Sequence, residues 1–283
     1  MTRWFLSLIL AGILGGTTAT PAQGEASPPG TSETLTSFRE RIQSYYHFLG
    51  TEEVRNFSCK ISSDFYVQFI KDKADSTYFY PLKFLWTREG GKHYILQPFP
   101  QLSDSLHREM LRRIQALKNI LDSVVNDWED FGILPPLSQV PEDATFSLAG
   151  DTVQVEYSLT EKGQTIGIHQ TFTRGGQLGR VIWESGNKKI TVYPLYEEVE
   201  NRWVCVGWDT QYYVAGEVSS GMAVRAQLAR IQEHLLPIEF RIMEQSRSRK
   251  TGEIITQGYH LYLKEYAFNE NLEYLPTTNS GKP

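Results

Sequence analysis

Tyr78-Phe79-Tyr80-Pro81-Leu82-Lys83-Phe84-Leu85-Trp86-Thr87-Arg88-Glu89-Gly90-Gly91-Lys92-His93-Tyr94-Ile95-Leu96-Gln97-Pro98-Phe99 is the stretch on which the fold turns. Pro81 fixes its own φ, and behind it Leu82, Phe84 and Trp86 fall on one side of an extended chain, with Lys83, Leu85 and Thr87 on the other. Glu89-Gly90-Gly91-Lys92 turns the chain back, because glycine supplies the positive φ that tight hairpin turns need. Tyr94, Ile95 and Leu96 form the return arm. The spacing predicts a hairpin, the organising element of an antiparallel sheet.

Upstream, Leu35, Phe38, Ile42, Tyr45 and Leu49 recur at steps of three and four, which predicts a helix with Thr31 or Ser32 as its cap and Gly50 at its end. Phe57, Cys59 and Ile61, then Phe65, Val67 and Phe69, keep a single parity and read as one long strand, or two joined at Ser62-Ser63. Downstream, Ser103 opens the longest helix. Its stripe runs through Leu106, Met110, Ile114, Leu117, Leu121, Val124, Trp128 and Phe131, with Arg108, Arg112, Arg113 and Lys118 largely off it, and Gly132 and Pro135-Pro136 stop it. A lone amphipathic helix between runs of strands is expected to lie across a sheet face. Asp127, Glu129 and Asp130 at its carboxyl end oppose the helix dipole; they read as a solvated face, the alternative being pairing with arginine or a cation.

After Ala144 the turns Gly150-Asp151, Lys162-Gly163, Gly175-Gly176 and Gly186-Asn187 separate alternating segments, the pattern of an antiparallel meander. Trp203 to Trp208 and Tyr212 to Val218 add strands. Ser219 or Ser220 is expected to cap a short helix carrying Met222, Leu228, Ile231 and Leu235 before Pro237. A last hairpin has arms Ile238 to Glu244 and Ile254 to Tyr266, turning at Thr251-Gly252.

With 283 residues, 40% of them hydrophobic, the chain can bury a full core; Tyr 15, Phe 14 and Trp 6 lean it towards sheet. A net charge of -5 with no long basic run argues against a nucleic-acid partner. Arg3, the 13-residue apolar run Trp4 to Gly16 and the small residues Thr17 to Ala22 have the form of a secretory signal peptide over 1–26, cleaved after Ala22 or Ala26. The run is short of the ~20 residues a spanning helix needs. The expectation is an exported, periplasmic and soluble protein: a linker at 27–32, one domain at 33–276 and a flexible tail at 277–283.

Motifs for chemistry are absent: no H-E-x-x-H, no G-x-S-x-G, no G-x-x-x-x-G-K. Gly175-Gly176-Gln177-Leu178-Gly179 lacks the spacing of a phosphate loop and reads as a hairpin turn. His47, His93, His107, His169, His234 and His260 show no metal-ligand spacing, and Glu197, Glu198 and Glu200 read as an exposed strand end or turn. No catalytic residue, metal or cofactor is assigned. Cys59 and Cys205, the two cysteines, leave two readings open: an export-compartment disulfide, or two separate buried thiols.

Tyr80-Pro81-Leu82-Lys83-Phe84-Leu85-Trp86 resembles the R-P-x-x-F-x-W strand of the periplasmic lipoprotein-carrier (LolA) family. Phe57-Ser58-Cys59-Lys60-Ile61 stands where that family has its first strand, and Leu236 to Phe240, Gly258 to Leu263 and Ala267-Phe268-Asn269 resemble its closing strands. The resemblance implies an α+β fold: a strongly curved antiparallel half-barrel sheet covered by amphipathic lid helices, with acyl chains held inside. Lipid-carrying lipoproteins of the LppX type and the RseB stress sensor share that shape. An apolar cavity is then expected to be lined by Phe65, Val67, Phe69, Leu82, Phe84 and Trp86 from the sheet, and by Leu106, Met110, Ile114 and Leu117 from the helix. Tyr80 takes the place of the family's lid-latching arginine, so no latch carries over. The function implied is a non-enzymatic carrier or binder of a lipid or acyl chain, with an envelope lipoprotein or membrane complex as a further partner. The alternatives are an envelope sensor or scaffold using the same sheet, and a secreted hydrolase.

Overall fold

The computed structural model describes residues 33–50, 53–89, 91–98, 103–161, 163–248 and 251–271; the segments expected to be a signal peptide (1–26), a linker (27–32) and a tail (277–283) lie outside the described residues. The strands form a mostly antiparallel, open sheet of 12 strands, with few helices. The described residues divide into two compact units, one made of those up to Leu49 with Ile120–Leu261, the other of those in Gly50–Asn119 with those from Tyr262 on.

In the first unit, helix α1 (Leu35–Gln43) starts at Thr34, whose side chain accepts from the Ser37 N–H while the Ser37 hydroxyl accepts from the Thr34 N–H. This reciprocal cap stands inside the residues named from sequence, Thr31 and Ser32, which lie outside the described residues. Leu35, Phe38 and Ile42 are buried. The helix ends at Gln43 rather than Gly50, because the chain then turns to bridge a strand: the Trp203 N–H donates to the Tyr45 carbonyl (2.7 Å) and the His47 N–H to the Trp203 carbonyl (2.8 Å). The Tyr46 hydroxyl donates to the Gly176 carbonyl (2.8 Å) and accepts from the Leu178 N–H (2.7 Å). Here the Gly175-Gly176 turn acquires a second purpose. A Cβ on Gly176 would stand 2.5 Å from Ile42 Cγ2, so only glycine lets α1 dock.

The meander follows the turn signals: β4 (Thr145–Ala149), β5 (Thr152–Glu161), β6 (Gln164–Thr173), β7 (Leu178–Ser185), β8 (Lys188–Val199) and β9 (Arg202–Val214), each antiparallel to its successor. The helix expected at Ser219 to Leu235 is not there. Ala215 (φ 51) and Gly216 (φ 84) make a two-residue hairpin, and β10 (Glu217–Ile231) runs back along β9. Met222 and Val224 are both buried at period two, and cross-strand pairing outweighs the weak helical spacing of Leu228, Ile231 and Leu235. β11 (His234–Arg247) and β12 (Ile254–Phe268) complete the order, β12 passing into the second unit after Leu261.

The long helix α3 (Asp104–Trp128) forms as its stripe predicts and ends in a π-helical turn, Glu129–Ile133. Trp208 closes the core of the first unit beside Phe131 (6.2 Å between ring centres) and Phe240 (6.0 Å), with Trp128 5.8 Å from Phe240. Asp127, Glu129 and Asp130 are half-buried rather than solvated, beside the buried Phe131 and Ile133 of the π turn.

The second unit holds β1 (Asn56–Ser63), α2 (Asp64–Ile70), a 3₁₀ turn (Ser76–Phe79), β2 (Leu82–Thr87), β3 (Gly91–Leu96), the first part of α3 and the end of β12. The hairpin at the centre of the sequence is present, with Leu82 opposite Leu96, Phe84 opposite Tyr94 and Thr87 opposite Gly91. The strand expected at Phe65, Val67 and Phe69 is instead helix α2. Ser63 Oγ accepts from the Tyr66 N–H (3.3 Å) and Asp64 sits in the first turn, so the chain is capped where a strand would have continued.

Candidate functional site

In the second unit β2 and β1 pair in the register Phe57–Trp86, Cys59–Phe84 and Ile61–Leu82, which puts these side chains on one face. All six are buried. Phe57 is the centre of an aromatic layer, 5.6 Å from Trp86 in a stacked pair, 5.8 Å from Phe84 edge-on, and 6.3 and 6.5 Å from Tyr266 and Phe268 of β12. Phe84 reaches Tyr94 of β3 at 5.6 Å. Along α3, Met110, Ile114 and Leu117 are buried and Leu106 is half-buried. The cationic flank of the helix grips the same unit: the Arg113 guanidinium lies 4.5 Å from the centre of the Phe69 ring and Lys118 Nζ 5.5 Å from that of Tyr94.

Seven of the ten residues expected to line a cavity therefore sit on the strand and helix predicted for them: Leu82, Phe84, Trp86, Leu106, Met110, Ile114 and Leu117. Phe65, Val67 and Phe69 do not all share a face: alternate residues on a helix point 200° apart, so Val67 is turned away from Phe65 and Phe69. Tyr66 and Ile70, four apart, are the buried pair of α2, while Phe65, Val67 and Phe69 are half-buried. Phe57, Tyr94 and Tyr266 belong to the same aromatic layer and are not among the ten. The parity of Phe57 with Cys59 and Ile61 was the available signal for the first; nothing local links Tyr266 to the layer.

Two hollows stand out among the described residues. One, of about 50 Å³, lies in the first unit beside His47, Trp128, Gly132, Cys205 and His234. The other, of about 420 Å³, is an open, polar recess in the second unit at Glu53, Arg55, Asn56, Asn269 and Glu270. Its walls are a hydrogen-bonded clasp: the Arg55 N–H donates to Asn269 Oδ1 (2.8 Å), Asn269 Nδ2 to the Glu53 carbonyl (2.7 Å) and the Glu270 N–H to Asn56 Oδ1 (3.0 Å). Ser58 and Lys83 both donate to the Glu270 carboxylate and hold it below its usual range. Neither hollow is lined by any of the ten expected residues.

Cys59 and Cys205 are both free and buried, so the disulfide expectation is corrected in favour of two separate thiols. Cys59 lies on β1 opposite Phe84, and Cys205 on β9 opposite Tyr196. Burial pushes the Cys205 thiol up to about 12, and its Sγ–H donates to the Gly207 carbonyl (3.4 Å). Burial raises Cys59 as well. Glu197 and Glu198 are exposed and Glu200 lies in the β8–β9 turn, paired with Arg230. Among the described residues no group of three or more His, Cys, Asp or Glu is arranged to hold a metal ion, and no helix is long and apolar enough to cross a membrane. No protein-family model, curated protein or solved structure matches this chain.

Proposed function

We propose that this chain is an exported binder of an acyl chain or acylated ligand, built as the curved, helix-covered sheet of the lipoprotein-carrier family. One observation carries the reading: an aromatic layer centred on Phe57, Phe84 and Trp86 in a unit whose α3 residues Met110, Ile114 and Leu117 are also buried. Lifting the helix would offer a continuous apolar surface. Each buried methylene contributes ~0.8 kcal/mol, so a 14-carbon chain gains on the order of 10 kcal/mol, close to what a membrane offers. Small changes in helix position then decide loading and release. At the latch position Tyr80 takes the place of the family's arginine, with Lys264 Nζ 4.0 Å from the centre of its ring, a contact easily opened.

A second reading, an envelope sensor or scaffold, is favoured by where the two hollows among the described residues lie, since neither touches the expected lining residues. One experiment separates the two. Organic extracts of the protein purified from its native compartment are analysed for lipid by mass spectrometry, and the delipidated protein is titrated with a fluorescent fatty-acyl probe. The binder reading expects co-purified lipid and saturable binding, weakened by Leu106→Glu, a half-buried position that tolerates the charge without unfolding. Neither lipid nor probe binding would sink it and leave the sensor.

A further inference from the structure

Glu244 stands on the apolar side of its strand. In β11 the side chains of its parity, Phe240 and Ile242, are buried, whereas Arg241 and Met243 on the other parity are exposed. Its register partner is Met222, only 4% exposed, and Met222 is in turn opposite Thr210. Glu244, Met222 and Thr210 thus form a transverse row on the inner face of β11, β10 and β9. Tyr212, one pair further along β9, is half-buried on the same face.

Three observations make this row unusual. Glu244 is half-buried with no basic side chain acting on it; burial raises its pKa and the one counteracting group is the Tyr259 hydroxyl. Tyr259, 9% exposed, lies next to the Glu244 carboxyl and close to Tyr212, and its hydroxyl closes no hydrogen bond of normal geometry. The Thr210 hydroxyl, on a residue 3% exposed, is also without a partner. Carboxylates taken out of water are ordinarily paired with a cation, and buried hydroxyls ordinarily bonded, so here Glu244 lacks a counter-ion and the two hydroxyls lack a hydrogen bond of normal geometry. Trp208 Nε1, likewise unpartnered, lies one row deeper among Phe131 and Phe240 and is not part of the set.

We propose that Glu244, Tyr259, Thr210 and Tyr212 form a receptor for the ammonium group of a ligand. The carboxylate supplies the counter-charge, the two hydroxyls accept N–H donors, and Met222 forms a pliable floor. A carboxylate-bearing ligand is repelled by Glu244, and a neutral polyol leaves its charge unanswered. The site lies within the first unit and goes beyond the acyl-binding reading.

Calorimetric titration with three probes of equal chain length, dodecylammonium, dodecanoate and dodecyl glycerol ether, tests it at neutral pH below their micelle concentrations. Dodecylammonium is expected to bind at least about tenfold more tightly than either of the others, the range of one charge-assisted hydrogen bond. Glu244→Gln, isosteric and relieved of a buried charge, is expected to abolish the preference while keeping the fold; Tyr259→Phe reduces it. Equal binding of all three probes would overturn the receptor and leave the acyl reading standing. A preference for the glycerol ether, or an ammonium preference that survives Glu244→Gln, also overturns the receptor. No binding by any probe overturns both.

Discussion

Gly207 shows how much one missing side chain carries. Its φ is 151°, and a Cβ there would stand 2.2 Å from the Val224 carbonyl oxygen and 3.1 Å from Arg225 Cα, backbone atoms that cannot swing aside. Gly186, in the β7–β8 turn, also has a positive φ of 60°, but nothing lies within 4 Å of the place its Cβ would take. Gly207→Ala is therefore expected to cost more than ~3 kcal/mol or prevent folding, and Gly186→Ala about 1 to 2 kcal/mol from backbone strain alone. Urea denaturation of the two variants checks the ranking; equal costs would refute it. The cysteines give a second test at this scale. With Cys59 and Cys205 both free, the denatured, unreduced protein should release two reactive thiols per chain, while the native thiols, buried and raised in pKa, react slowly. Finding no thiol in the denatured chain would restore the bridge.

Among the elements, α2 is the instructive failure of the sequence reading. Phe65, Val67 and Phe69 alternate like a strand, yet the segment also places Tyr66 and Ile70 four apart, and the Ser63 cap chooses between the two periods. Ser63→Ala should remove about 1 kcal/mol of stability and some helical signal in circular dichroism. An unchanged stability and spectrum would mean the cap does not decide the helix. What was legible was local: the turn glycines of the meander, the hairpin behind Pro81 and seven of the eight stripe residues of α3 all appear where the residues put them, Phe131 falling in the π turn beyond the helix. What was not legible depended on partners distant in sequence. β10 is a strand because Ala215-Gly216 folds it onto β9, and an isolated reading of Met222 to Leu235 has no access to that pairing. The same holds for the ammonium receptor, whose members come from β9, β11 and β12 and meet only through register.

Over the whole molecule, the acid response combines carboxyl groups whose pKa values are shifted in opposite directions. Glu270 beside Ser58 and Lys83, Glu239 beside Arg241 and His260, and Glu265 beside Lys60 and Lys264 are all held below the ordinary carboxylate range. A carboxyl whose folded pKa is depressed binds fewer protons folded than unfolded. Its contribution is present above the unfolded value near ~4.3 and is lost as pH falls through the folded value. Glu244 runs the other way: raised by burial, it opposes folding while ionised, and that penalty is relieved as pH falls through its folded value towards ~4.3. Stability should therefore rise slightly from neutral to weakly acidic pH and then fall. Glu244→Gln is expected to raise stability at neutral pH and erase the rise, whereas Glu270→Gln should leave the rise intact and shrink the loss below it. Urea midpoints across a pH series measure both. If the rise persists in Glu244→Gln, that carboxyl is not the group that produces it, and its burial without a basic partner would have to be reconsidered.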